Sequence, residues 1–505
     1  MTNKYFFLAA LLFPLFSCEP KGKMISAPEQ QTPPYIVDID YPEPLAEESF
    51  DISPKPKPYR PVIVRSMGTD LPHDWETKGT DRKTRVIKYL KGYSPMYVGQ
   101  GRYLNSVNEY GSCLSLPRQE ATGRWRTQKV DGRWYLVDPD GYLNIYRGLT
   151  SFQNFVPEET DKVYGSETDW IRITVRQLAA MGFHGVGGFS SDDKVLAYNK
   201  TSSYMPLTHT PKPNFLSGAI SKGSLATPDN TNCRIGVVFN ADFPSACKRF
   251  AKEALATYKG NKYILGVMSD NELGLSASGV DVLEEMLSLD DDAFVGKVAA
   301  QVLMTDNGLE PTPAAYNSQS AAKKEELQDA FAGQMAEIYY KSVHDAIKEV
   351  DPNMLYLGSR LHGKPKTQKS VIESAGRWCD IITINYYGDW TPELKGKVAD
   401  WQRWTDKPFM ITEFYTLSQD VGMENSSGAG FLVKTTLEKG FFYQNFCLAL
   451  LECPNCVGWT WFRYMDNETS NQGLFTRHLQ VYPEFGTLAM ELNCNVYDLI
   501  NYFDN

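Results

Sequence analysis

Two short stretches carry side chains able to do chemistry at an acetal carbon: Ser269-Asp270-Asn271-Glu272-Leu273 and Ile411-Thr412-Glu413-Phe414-Tyr415. Each follows an apolar, β-branched run, so each glutamate stands where a strand is expected to end. Two carboxyl groups about 5–5.5 Å apart can share a double displacement, one protonated to assist the leaving group and one ionised to attack. Their repulsion favours one proton on the pair, and neutralising the nucleophile in the intermediate lets the acid return as a base. Taken singly, either stretch also fits a helix cap. Arg360, His362 and Asn385 close other apolar runs. For Arg360 and His362, contact with a substrate and a structural salt bridge or capped loop are equal alternatives. The histidines His184, His209, His362 and His478 are too dispersed to suggest a metal site, and no cofactor motif is present. Cys453-Pro454-Asn455-Cys456 has no companion pair, so a disulfide or buried thiols are expected there rather than zinc.

The elements that must position these residues follow a βα rhythm. Strands are expected at Leu143–Leu149, Phe183–Phe189, Ile235–Phe239, Tyr263–Met268, Leu355–Gly358, Ile381–Ile384, Phe409–Thr412 and Val457–Trp461. Helices are expected at Asp169–Met181, Ser245–Tyr258 and Glu326–Val350, the last with Leu327, Phe331, Met335 and Ile338 on one face. Eight such units predict an α/β fold of the (β/α)8 TIM-barrel class, whose chemistry sits at the C-terminal strand ends. A doubly wound sheet is the runner-up, but it would want a glycine-rich phosphate loop after its first strand. The barrel is placed at residues 131–505, entered through a hairpin with its turn at Asp140-Gly141. A short β-rich extension is expected over residues 61–130. The excursion from Gly274 to Lys324 is long for a βα loop and either walls the cleft or decorates the fold.

Residues 1–17 read as a signal peptide: Lys4, an apolar run from Tyr5 to Phe16, then Leu15-Phe16-Ser17-Cys18, which resembles a bacterial lipobox. Lipidation at Cys18 would anchor the exported chain to the outer membrane or cell surface, with the periplasmic face also open. Residues 18–60, interleaving prolines with acids, read as an extended tether. A net charge of −10 argues against nucleic acid, which needs a basic footprint. Ten tryptophans and 29 tyrosines fit both carbohydrate stacking and an ordinary large core.

The paired motifs on the fourth and seventh expected strands resemble the large clan of (β/α)8 retaining glycosidases marked by Asn-Glu and Glu at those places. That resemblance implies Glu272 as acid/base, Glu413 as nucleophile, and Asn271 on the 2-hydroxyl of the sugar. It implies a tyrosine after the sixth strand bonding the nucleophile, Tyr386 ahead of Tyr387. It also implies a tryptophan floor after the eighth, Trp461 by position, with Trp459 as core packing. Ala121-Thr122-Gly123-Arg124, Trp134 through Gly141, Tyr263-Ile264-Leu265-Gly266 leading to Leu273, Gly458 through Asn467, and Glu424-Asn425-Ser426 before Gly428-Ala429-Gly430 are similar to the agarase branch. The likeness covers roughly residues 115 to 490. The implied substrate is a β-linked galactan of agarose type. Departures at Asn144, Arg147 and Gly187-Gly188-Phe189-Ser190 fall where sugar subsites are expected. The rival expectation is a surface glycan-binding lipoprotein without catalysis, and another is a retaining β-glycosidase for a different glycan.

Overall fold

A computed structural model describes residues 36–50, 53–66, 79–97, 103–202, 204–276, 279–425 and 428–504. Cys18 and the signal segment 1–17 lie outside them. The fold is mixed α/β. Six strands pair in parallel in the order Ile382–Asn385, Phe409–Glu413, Cys456–Trp461, Tyr146–Leu149, Gly185–Val186, Thr208–His209. Gly266–Val267 and Leu355–Tyr356 form a separate parallel pair. Single parallel bridges, His209 to Ile264 and Leu361 to Ile384, lie between this pair and the two edges of the larger sheet.

The third expected strand is a correction. Ile235–Phe239 is the end of a 3-10 helix, Thr231–Phe239, and the strand in that place is Thr208–His209. A short apolar run is buried equally well as strand or helix, so its hydrophobicity does not decide between them. Its neighbours decide: Gly236 meets the backbone of Gly296 in helix Val295–Asp306, which belongs to the long excursion. The excursion itself folds as helices Val282–Leu287, Val295–Asp306 and Pro313–Asn317. The first expected strand is also divided, with Leu143–Asn144 closing a hairpin on Arg133–Val137 and Tyr146–Leu149 joining the large sheet.

Helices arise where caps and apolar stripes agree. Glu167–Ala180 starts at Ser166, whose hydroxyl accepts from the Asp169 amide at 3.1 Å, and buries Trp170, Ile171, Thr174, Val175 and Leu178. Ala321–Val350 buries Leu327, Phe331, Met335 and Tyr339, while Ile338 sits half-buried at the stripe's edge. Thr436–Glu452 opens with a capping box between Thr435 and Glu438. It is apolar nearly all round because Pro483–Cys494 covers its far side.

The tether expectation also needs correcting where it reaches the described residues. Ala46–Phe50 and Ser53–Ser66 form an antiparallel ribbon, extended by Thr80–Thr84 on one side and by Phe431–Val433 near Ser66. Phe431–Val433 in turn pairs with Thr416–Ser418, just beyond Glu413. Pro54, Pro56 and Pro58 stand at alternate positions, so they strip N–H groups from one edge of the strand only. The other edge keeps its donors, and that suffices for pairing. All eight described cysteines are buried free thiols. Cys453 accepts from the Gln402 amide at 3.2 Å, and Cys456 faces the Gly458 carbonyl at 3.6 Å.

Candidate active site

Glu413 ends its strand opposite Asn385 in the neighbouring one. Its carboxylate is buried and held at both oxygens: the Arg360 guanidinium contacts Oε1, and the Tyr387 hydroxyl donates to Oε2 at 2.7 Å. Burial raises its pKa, Arg360 and Tyr387 pull it back, and the nearby Glu272 pushes it up again. Glu272 lies past the Gly266–Val267 strand in a left-handed conformation (φ 51°), with its side chain exposed. Its amide donates to the Ser359 carbonyl at 3.2 Å, which ties the turn to the fifth strand's end.

Asn385 connects the two glutamates. Its Nδ2 donates to Glu272 Oε1 at 2.9 Å and to Asn271 Oδ1 at 3.2 Å. Its Oδ1 accepts from the Thr412 hydroxyl at 2.8 Å and from Arg360 Nε at 3.3 Å. The polar chain therefore runs Glu272, Asn385, Arg360, Glu413. The two carboxyls meet unlike surroundings: one is open and accepts from an amide, the other is buried against a guanidinium and a phenol. His362 completes this side, its ring edge-on to Tyr387 at 5.6 Å and its Nδ1 3.4 Å from the Asn385 carbonyl.

Asp270, beside Asn271, is a buried support. It accepts from the Leu216 amide at 3.1 Å and from the Tyr339 hydroxyl, and burial raises its pKa to about 6.

Two expected site residues lie elsewhere. The Tyr386 hydroxyl accepts from the Glu393 amide at 3.1 Å, and its ring packs edge-on against Trp401 and Phe446, away from Glu413. Tyr387 takes the position at Glu413. Side chains two apart share a face: Thr383, Asn385 and Tyr387 turn to the centre, whereas Ile384 and Tyr386 turn outward. Trp461 is fully buried, donates from Nε1 to the Gln472 carbonyl at 2.8 Å, and packs against Phe414, Tyr443 and Phe485. Trp459 shares that outer face and donates to the Tyr443 hydroxyl at 3.0 Å. Thr460 between them bonds the Thr412 carbonyl at 2.6 Å, and the half-buried Phe462 approaches Tyr415 at 5.7 Å. Alternation along both strands held this information, but only once the inward register was known.

Asn144 and Arg147 are likewise structural. Arg147 is buried and donates to the carbonyls of Gly182 and Gly111 and to the Tyr103 hydroxyl, each at 3.0 Å. Asn144 bonds the Tyr110 carbonyl and the Ser112 hydroxyl. The other departure does reach the site. Gly188 lies under the Arg360 guanidinium, where any Cβ would collide with it, and Phe189 places its ring 4.9 Å from the same group. Tyr415, not singled out by its sequence, stacks edge-on against Tyr387 at 5.3 Å. Its hydroxyl accepts from the Ala429 amide at 2.8 Å, and Gly430 and Gly428 let that loop close over the ring.

Among known proteins, the chain is similar to β-agarase B of Vibrio sp. (strain JT0107), 22% identical over 504 aligned residues covering 81% of this chain and 51% of that one. β-Agarase A of the same strain is 24% identical over 385, covering 66% and 36%. The chain thus spans about half, or less, of the length of these curated relatives. The crystal structure of BpGH50 matches with a TM-score of 0.86 at 37% identity, covering 92% of this chain and all of that one. A solved exo-β-agarase matches in fold with a TM-score of 0.66 at 19% identity, covering 81% and 68%. No family model matches.

Proposed function

The chain belongs to the agarase-like glycoside hydrolase family of BpGH50, and on that premise we propose that it hydrolyses a β-linked galactan of agarose type by double displacement. The observation that carries the reading is the Glu272–Asn385–Arg360–Glu413 chain, which links an open carboxyl to a buried, cation-paired one. Arg360 and Tyr387 favour the carboxylate form of Glu413, suited to attack on the anomeric carbon. Glu272 protonates the departing oxygen and afterwards takes the proton of the incoming water. Asn271, turned toward Asn385, suits the sugar's 2-hydroxyl.

The parallel pairings and the two single bridges support reading the strands as a closed (β/α)8 barrel, with both glutamates at the C-terminal strand ends. The lipobox-like Leu15-Phe16-Ser17-Cys18 supports export and a lipid anchor at Cys18.

The test is sugar release from a panel of β-galactans and β-glucans, neoagaro-oligosaccharides included, with the product anomer followed by NMR. We expect the β-anomer first from a galactan, and no turnover by Glu413→Gln. Glu272→Gln should lose about 10²–10⁴-fold on natural glycans while keeping the first step on aryl glycosides. Full activity of either variant on a natural glycan sinks the assignment. Silence of the wild type on every glycan, with binding retained, favours a glycan-binding role instead.

A further inference from the structure

Phe189 ends the second strand's run in a left-handed conformation (φ 65°), with its side chain 40% exposed at the site. A bulky residue held this way is strained and persists where surroundings enforce it. Two cations lie over its ring: the Arg360 guanidinium and the Lys212 ammonium, each 4.9 Å from the centroid. Arg360 is neutralised by Glu413. Lys212 is not: its hydrogen bond goes to the neutral Asn214 Oδ1, and it forms no ion pair among the described residues.

The anions around Lys212 are Asp270, Asp192 and Glu413, and each is already engaged. Asp270 is bonded by Leu216 and Tyr339, and Asp192 by His209 at 2.7 Å and Tyr258 at 2.5 Å. Glu413 is bonded by Arg360 and Tyr387. Lys212 is thus a half-buried ammonium with no carboxylate in direct contact among the described residues, its surrounding acids being bonded to other groups. When a sugar covers the cleft it loses water, and an ammonium with no carboxylate in contact pays a desolvation penalty that an acceptor on the ligand would offset. Hydroxyls replace only part of that hydration; an anionic oxygen forms a charge-assisted bond roughly twice as strong.

Resting on the reading above, we infer that Lys212, seated over Phe189 beside Glu413, forms a subsite for an anionic substituent of the galactan, a sulfate ester or a carboxylate. The ring of Phe189 takes the apolar face of the same sugar unit, and Lys212 selects against neutral chains there. Arg360 stays with Glu413 and positions it.

The test uses the full chain in two arms. In the first, calorimetry compares methyl β-galactoside, its 6-sulfate and methyl β-galacturonide as ligands of wild type, Lys212→Met and Lys212→Arg. The wild type should bind one charged ligand at least about tenfold more tightly than the neutral one, and which one names the anion. That ratio should fall toward unity in Lys212→Met and survive in Lys212→Arg, which separates charge from lost folding. Equal affinities in the wild type, or equal losses for charged and neutral ligands in Lys212→Met, overturn the inference. The second arm compares kcat/KM on matched neutral and charged β-galacto-oligosaccharides. Turnover without preference for charge overturns the inference and leaves the hydrolase reading standing. No turnover of any galactan, with the charged-ligand selectivity intact, overturns the hydrolase reading and leaves the subsite.

Discussion

Tyr387 and Tyr386 are neighbours with opposite duties, and two phenylalanine substitutions separate them. Tyr387 donates to Glu413 and favours its ionised form, so Tyr387→Phe raises the pKa of Glu413. On the proposed mechanism Glu413 attacks in its ionised form, so the acid limb of kcat/KM against pH should move upward, with a loss of about ten- to a hundredfold in kcat. Tyr386→Phe removes the acceptor for the Glu393 amide and the hydroxyl's bond to Asp389, both away from Glu413. It should cost about 1 kcal/mol of stability in denaturant titration and leave the pH profile in place. A profile that moves for Tyr386→Phe and not for Tyr387→Phe would reverse the roles. The strand-end places of Glu413 and Asn385, and of Glu272 just past a strand, were legible in the sequence because polar residues closing apolar runs are conspicuous. Tyr386 and Trp461 were misplaced because adjacent aromatics both look suitable, and only the strand's inward register tells them apart. Lys212 was invisible for another reason. It follows Thr208–His209, a strand of two residues with no apolar run to announce it.

At the scale of elements, the turn after Gly185–Val186 sets the position of Arg360. Gly188→Ala places a methyl group against the guanidinium, which must leave either Glu413 or Phe189. Small displacements of a catalytic group cost about a hundredfold, so kcat should fall by that order while the thermal melt stays near the wild type. Unchanged kcat would show that Arg360 has room to spare. Glu413 has a second line of support through Tyr387, Tyr415 and the glycines of the 428–430 loop. Helices were readable within a few residues, since a capping serine or threonine and a 3.6-residue stripe speak locally. The strand register was not, because it depends on partners far along the chain. Ile235–Phe239 shows the limit: its burial was legible, its geometry was set by contact with the excursion. The proline-interleaved segment shows the converse, since alternate prolines look like a tether and still leave one edge free to pair.

At the scale of the whole molecule, many titratable groups among the described residues are buried, and alkaline stability follows from them. Burial raises the thiol pKa in seven of the eight described cysteines: Cys233, Cys247, Cys379, Cys447, Cys453, Cys456 and Cys494. It does the same for phenols such as Tyr103, Tyr146, Tyr340 and Tyr464. These groups keep their protons in the fold while the unfolded chain releases them. Their contribution is therefore complete below the ordinary values of 9.0 and 10.0 and is lost as pH climbs above them. Lys366 and Lys439, each lowered to about 8 by burial, act the opposite way between about 8 and 10.5, and Lys212, also lowered by burial, acts in the same sense, but three lysines oppose seven thiols and the phenols. The melting temperature should hold near pH 7 to 8 and drop steeply above pH 9; a flat profile to pH 10.5 would contradict this. The ribbon at residues 46–66 has a different consequence. It is hydrogen-bonded to Phe431–Val433, which is bonded to Thr416–Ser418, three residues beyond Glu413. A tensile force applied at the N-terminal end of the described chain would enter this ladder early, so load on the ribbon would pass through main-chain hydrogen bonds to the strand that follows Glu413.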